Sequence, residues 1–120
     1  MPLLVYENGN VRKAGIIDML EAAKALLLLI PIGKVTSYKE LALALGVNPR
    51  LVGKLMKMND EAPIIPCHRV VRSNGEIGGY SAVGGVDFKR KLLELEGVKF
   101  KNKRKINRNS FISLRELTIN

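Results

Sequence analysis

The spacing of apolar residues divides the chain into segments of different period. From Ile16 the positions Ile17, Leu20, Ala23, Leu27 and Ile30 recur three or four residues apart, the repeat of one helical face, and Pro31 with Gly33 stops it. Asp18 falls in the first turn, where a carboxylate suits the helix dipole. Ser37 followed by Glu40 reads as a capping box, Leu41, Ala44 and Leu45 as the apolar face of a short second helix, and Gly46 as its C-terminal cap. Asn48 and Pro49 then read as the N-cap and first residue of a third helix reaching about Met58. Its inward positions are Leu51, Val52, Leu55 and Met56; Arg50, Lys54 and Lys57 point outward. Two short helices joined by a tight Gly-containing turn, the second with a basic outer face, have the outline of a helix-turn-helix, which an ordinary helical hairpin shares.

Elsewhere the period shortens. Residues 1–15 form a brief lead-in in which Asn8-Gly9, between Leu4-Val5-Tyr6 and Val11, marks a tight hairpin. Pro63-Ile64-Ile65-Pro66 is expected to be extended, because each proline disfavours helix in the residue before it. Val70-Val71-Arg72 and Glu76-Ile77 flank Ser73-Asn74-Gly75, a small hairpin of the kind that forms a wing beside a helix-turn-helix. Gly78, Gly79, Gly84 and Gly85 surround Tyr80-Ser81 in a loop that either passes close to another group or simply connects. Asp87 is expected to cap a last helix with Phe88, Lys91 or Leu92, and Leu95 in register, ending at Gly97. The expected class is mainly α with a small β element, a winged helix-turn-helix-like domain over residues 16–97, with residues 98–120 as a basic extension.

Composition narrows the partners. A chain of 120 residues is one domain, and 47% hydrophobic with 26% charged residues matches ordinary globular proteins. Twenty Lys and Arg against eleven Asp and Glu give +9, which makes a polyanion the first partner to consider. The excess is uneven: residues 98–120 hold seven basic groups and one acid. Lys99, Lys101, Lys103, Arg104 and Lys105 put five cations into seven positions, a density that suits phosphates but, taken alone, reads first as a solvated tail. The longest apolar stretch, Ala25 to Ile32, is too short to span a bilayer, so no membrane partner is expected. One cysteine, Cys67, excludes an internal disulfide, and with one histidine there is no recognisable metal-ligand set. The expected location is cytoplasmic, associated with the nucleoid in a prokaryote.

Cys67 and His68 are the candidates for nucleophile and base, since a thiol needs an activating neighbour near neutral pH. In extended backbone adjacent side chains point apart, so relay through a water is favoured over direct contact, with Glu94 or Glu96 available to orient the imidazole. As an isolated dipeptide the pair is weak, and a buried thiol beside a satisfied histidine is the commoner arrangement. Its surroundings are specific. Ile65-Pro66-Cys67-His68-Arg69-Val70-Val71 resembles the active-site signature of the O6-alkylguanine-DNA alkyltransferases. The resemblance runs from about Ile30 to Gly97, through Ile30-Pro31-Ile32-Gly33-Lys34-Val35-Thr36-Ser37-Tyr38 and Leu95-Glu96-Gly97, stretches similar to the family's C-terminal catalytic domain.

The resemblance implies that Cys67 accepts the alkyl group from guanine O6 in one displacement and keeps it, so that the protein is consumed. It implies that His68 is the base acting through a water, that Glu96 orients it, and that Tyr38 donates toward the departing guanine. Ser81, in Tyr80-Ser81, matches part of the loop that contacts O6, and Arg69 follows within the signature. Arg50 resembles the finger that fills the stack when the nucleotide is flipped out of the duplex, and Gly53 the small residue that admits the DNA backbone. Asn59 matches the asparagine tying the recognition helix to the active-site segment. The implied partner is double-stranded DNA carrying O6-alkylguanine, entered through the minor groove, with no cofactor and no metal. Relative to the family, only about fifteen residues precede the first helix, the Tyr38 to Arg50 segment is about two residues shorter and the Ser81 to Asp87 loop about two longer. Two other classes stand beside the transferase: a non-enzymatic alkyltransferase-like sensor, which usually lacks the cysteine retained here, and a generic winged-helix DNA-binding module.

Overall fold

The structure is a computed structural model that describes residues 4–82 and 84–115. Among the described residues, four α-helices and two small sheets make a helix-rich fold with a minor β component. The lead-in is the expected hairpin: β1 (Leu4–Glu7) pairs antiparallel with β2 (Asn10–Lys13), and Asn8 and Gly9 both take the positive φ that a tight two-residue turn requires. Helix α1 (Ile16–Leu28) opens with Asp18 accepting from the Gly15 amide and buries Leu20, Ala23 and Leu27; Ile17 faces solvent.

Strand β3 (Thr36–Ser37) leads directly into α2 (Tyr38–Leu45). Ser37 caps α2 by accepting from the Glu40 amide at 3.0 Å, while the Glu40 carboxylate turns away to accept from Ser113. The inward face is Leu41, Ala42 and Leu45; Ala44, expected inside, is exposed. Gly46, at φ 71°, closes the helix with Val47 donating back to Ala42, the bond pair of a Schellman end. Asn48 then caps α3 (Pro49–Met58) by accepting from the Leu51 amide, and Val52, Leu55 and Met56 are buried against α1 and α2. The helix-turn-helix order is therefore present, set by two caps a few residues apart.

Three local expectations are corrected. Residues before Cys67 are turned, not extended: Ile65 donates to Glu61 and Cys67 to Ile65, folding the chain tightly across Pro66. The Ser73-Asn74-Gly75 turn closes, with Gly75 donating to Arg72 and Arg72 to Glu76, but its flanks do not form a wing ladder. Instead β4 (Val70–Val71) pairs in parallel with β3, and Glu76 bridges Lys105. Helix α4 (Gly85–Leu95) begins before Asp87, and its buried residues are Lys89 and Leu93; Phe88 and Leu95 face solvent.

Residues 98–115 are not a solvated tail. Val98, Ile106, Ser110 and Leu114 are buried, and Val98 and Ile106 join Val35, Val71, Ile77 and Leu93 in a second apolar cluster beside the one formed by α1, α2 and α3. Val35 donates to the Ser110 carbonyl and accepts from Ile112, so this segment lies alongside β3's approach. The apolar positions are thinly spaced among cations, which hid them in the sequence. Residues 1–3, 83 and 116–120, parts of the predicted lead-in, glycine-rich loop and extension, lie outside the described residues. Among the described residues no helix is long and apolar enough to cross a membrane.

Candidate active site

Cys67 begins a single 3-10 turn (Cys67–Arg69) that connects the folded-back 61–66 segment to β4. A cavity of about 300 Å³ opens over it, bounded by Tyr38, Gly53, Met56, Tyr80 and Ser81 among others. Each wall has a local cause. Tyr38 is the first residue of capped α2, and Gly78, at φ 78°, lets the backbone pass its ring where a Cβ would come within 3.3 Å. Tyr80 and Ser81 follow on the loop before α4. A larger groove of about 750 Å³ runs along α2 and α3 and shares Tyr38, Gly53 and Gly79 with the cavity, so the opening over Cys67 faces the helix-turn-helix side.

Behind Cys67 the turn aims two consecutive side chains into the interior. His68 is 1% exposed, and its Nε2 lies 3.0 Å from Glu96 Oε2. Arg69 donates from Nε and Nη2 to the two Glu96 oxygens at 2.9 and 2.8 Å, and from Nη1 to the Ile30 carbonyl at 2.8 Å. Glu96 is delivered by the end of α4, where Gly97 at φ 88° turns the chain and Val98 donates back to Leu93. Burial raises the Glu96 pKa, but hydrogen bonds from Arg69 and then His68 outweigh it and hold the carboxyl below its ordinary value. Burial also lowers His68 below its usual 6.5 against the pull of Glu96, so the ring is neutral at pH 7. A neutral ring that donates from Nε2 to Glu96 leaves Nδ1 as an acceptor, and Nδ1 is buried with no hydrogen-bond partner among the described residues. Glu94, the other acid near the end of α4, pairs with Arg90 on the helix's outer face.

Asn59, at the end of α3, donates from Nδ2 to the Ile65 carbonyl at 2.9 Å and accepts from the Glu61 amide, which ties α3 to the segment that carries Cys67. Gly53 lies mid-helix, where glycine costs about 1 kcal/mol against alanine. Beyond its own helix backbone an added Cβ there would meet nothing within 4 Å among the described residues, so their packing does not demand the glycine. Arg50 is exposed in the first turn of α3 and does not line the cavity.

One charged group escaped the sequence reading. Lys89 is completely buried, donates from Nζ to the Val70 carbonyl at 2.9 Å and the Gly79 carbonyl at 3.1 Å, and lies 5.9 Å from the centre of the Tyr38 ring. Burial pulls its pKa down to about 8, opposed by the charge of Cys67 and assisted by Arg72. Burial and the same Cys67 charge push Tyr38 up, so the phenol keeps its proton and is a donor. The i,i+4 pair Lys89–Leu93 was the available signal, but a lysine on an apolar stripe ordinarily snorkels outward.

The family described as "6-O-methylguanine DNA methyltransferase, DNA binding domain" matches residues 19–98. The methylated-DNA--protein-cysteine methyltransferase of Saccharolobus solfataricus is 59% identical over 70 residues, covering 58% of this chain and 44% of the relative. That of Pyrobaculum aerophilum is 51% identical over 81 residues, covering 68% and 53%. The chain thus spans about half the length of the curated relatives it matches. Among solved structures, Mycobacterium tuberculosis OGT in complex with DNA superposes with a TM-score of 0.62 at 41% identity, covering 67% of this chain and 50% of that one. Schizosaccharomyces pombe Atl1, in complex with damaged DNA containing O6-carboxymethylguanine, gives a TM-score of 0.67 at 26% identity over 89% of this chain and 99% of that one. On the matched stretch of 80 residues, which carries both the cavity and the Glu96–His68 pair, this chain belongs to the 6-O-methylguanine DNA methyltransferase family.

Proposed function

We propose that this protein repairs O6-alkylated guanine in duplex DNA by moving the alkyl group irreversibly onto Cys67 Sγ. The observation that carries the reading is a cysteine at the floor of a base-sized cavity, backed by a neutral histidine whose free acceptor nitrogen is buried. The thiol proton passes, by way of a water, to His68 Nδ1, while Glu96 stabilises the imidazolium that forms and Arg69 holds Glu96. Sulfur attacks the alkyl carbon, the S–C bond forms as the C–O6 bond breaks, and the electron pair leaves on guanine. Tyr38 donates to the ring as this charge develops, and Ser81 borders the same space. The proton taken from sulfur ends on guanine N1, restoring the keto base. The displacement balances with no redox partner, and its thioether product explains why one molecule acts once.

Base flipping supplies access, because the reacting carbon is out of reach inside a stacked duplex. The groove along α3 is the entrance, with Gly53 allowing close approach of the backbone and Arg50 filling the vacated stack from the minor groove. A second reading, a sensor that binds the lesion without reacting, is favoured by the likeness to Atl1 along nearly all of that chain. Cys67 at the cavity floor favours transfer. The test is intact and peptide mass after incubation with duplex containing O6-methylguanine, beside an unmodified duplex. One methyl on the Cys67 peptide, at one per protein and absent from the Cys67→Ala variant, is expected. Damage-selective binding with no methylation establishes the sensor instead.

A further inference from the structure

The 98–108 segment is folded, and the way it is folded places its cations. Phe100 and Ile106 bridge antiparallel, Lys101 donates to the Lys105 carbonyl at 2.9 Å, and the Asn102 side chain accepts from the Arg104 and Lys105 amides. This tight turn is pinned at its base: Ile106 donates to the Gly75 carbonyl at 2.8 Å, Ile77 donates to Arg104, and Ile106 is buried. Gly75, at φ 95°, sits so near that a Cβ would lie 3.2 Å from the Ile106 carbonyl oxygen. The Arg72–Gly79 turn, which borders the groove along α2 and α3, is thus backed by a basic turn from the far end of the chain.

Lys103 and Arg104 are exposed, and among the described residues neither has a carboxylate within ion-pair distance. They line a cleft with Arg72 and Arg90, facing the carboxylates of Glu76 and Asp87. Glu76 is already engaged by Arg72 and Arg90 by Glu94, so among the described residues of the cleft two cations, Lys103 and Arg104, remain against one acid, Asp87, and the cleft keeps a net positive charge. Arg72 and Gly79 border this cleft and also the groove that leads to Cys67, so the two surfaces are continuous. Unpaired cations held close together on an ordered turn repel one another until an anion neutralises them.

We infer that the turn of residues 100–106 is a second nucleic-acid contact, in which Lys103 and Arg104 bind backbone phosphates of the duplex beyond the stretch held by α3. The proposal rests on the reading that duplex DNA enters along α3, and it extends the footprint to a segment beyond the matched family region, which ends at residue 98. The partner is double-stranded DNA of any sequence, because phosphate contacts position the protein without reading bases.

The experiment measures binding of the full chain to fluorescent unmodified duplexes across a salt series, for wild type, Lys103→Ala/Arg104→Ala, and the charge-keeping Lys103→Arg/Arg104→Lys. Each phosphate contact contributes about 0.9 to the salt slope, so the alanine pair is expected to lower the slope by about 2 and weaken binding by ten- to a hundred-fold at about 0.1 M salt. The charge-keeping pair is expected to match wild type, which a merely structural role would not require. An unchanged slope in the alanine pair overturns the inference, as does a wild type that binds no duplex. Methylation of Cys67 by mass is read separately in the same proteins: its absence beside a reduced slope removes the transferase reading and leaves this contact standing. Its presence beside an unchanged slope does the reverse.

Discussion

The buried network beneath Cys67 and the cationic face around α3 use the same residue types to opposite ends. Beneath Cys67, His68 and Lys89 are almost wholly buried, Arg69 and Glu96 nearly so, and each charge is matched by a carboxylate, a guanidinium or backbone carbonyls. On the face, Arg50, Lys54 and Lys57 are exposed, and no ion pair among the described residues involves them. A buried charge that loses its partner keeps its desolvation cost, so the first region is fixed by structure. An exposed unpaired cation contributes little to stability and its whole charge to an arriving phosphate. Substitutions should therefore separate the regions by what they change: folding free energy in one, ligand affinity in the other.

The largest effect is expected from Glu96→Gln, which keeps shape and removes the charge that Arg69 and His68 share. It strands the Arg69 guanidinium, and unfolding in denaturant should show a loss of about 3 kcal/mol. The folded Glu96 carboxyl lies below its ordinary value, so its contribution is present above the ordinary carboxylate range and lost as pH falls through the folded value. The gap between wild type and variant should narrow on acidification. Loss below about 1 kcal/mol at pH 7 would reclassify the network as surface-like.

Lys89→Met tests the buried network along the pH axis. The folded Lys89 sits at about 8 and the unfolded chain near 10.5, so between these values the unfolded state binds more protons and stability rises with pH. Over that window wild type should gain about 3 kcal/mol relative to the methionine variant, as an upper figure from the shift alone. The check is denaturation of both proteins at several pH values from 7.5 to 11. Parallel curves would mean that the two carbonyls keep Lys89 charged throughout.

How much of this was legible in the sequence follows the range of the interactions. The hairpin at Asn8-Gly9 and the ends of α2 and α3 are set by residues within four positions of each other, and Ser37, Gly46, Asn48 and Pro49 announced them. The motif around Cys67 was readable too, though not the turn beneath it. Hidden features have distant partners. Val70 and Val71 chose Thr36 and Ser37 over Glu76 and Ile77, Lys89 found carbonyls 19 and 10 residues away, and residues 98–115 joined a cluster spread over the chain. Local period carries no trace of such pairings, and a run of cations with apolar residues between them looks like solvent-exposed chain until its partners are known.

The smallest change is the most diagnostic, because it should move the two quantities in opposite directions. Gly53 faces the shared opening of cavity and groove in the middle of α3, where, beyond the backbone of the helix itself, no atom of the described residues would lie within 4 Å of an added Cβ. Alanine there should raise stability by about 0.5–1 kcal/mol, since it restricts the unfolded chain and suits the helix. The same methyl group enters the space proposed here for the approach of a DNA backbone, so affinity for unmodified and alkylated duplex should both fall. Thermal unfolding and fluorescence anisotropy on one preparation test the two halves together. A variant that is more stable and binds as tightly as wild type would show that DNA does not approach α3 at this turn, and would leave Arg50, Lys54 and Lys57 as the contacts of α3 with the duplex.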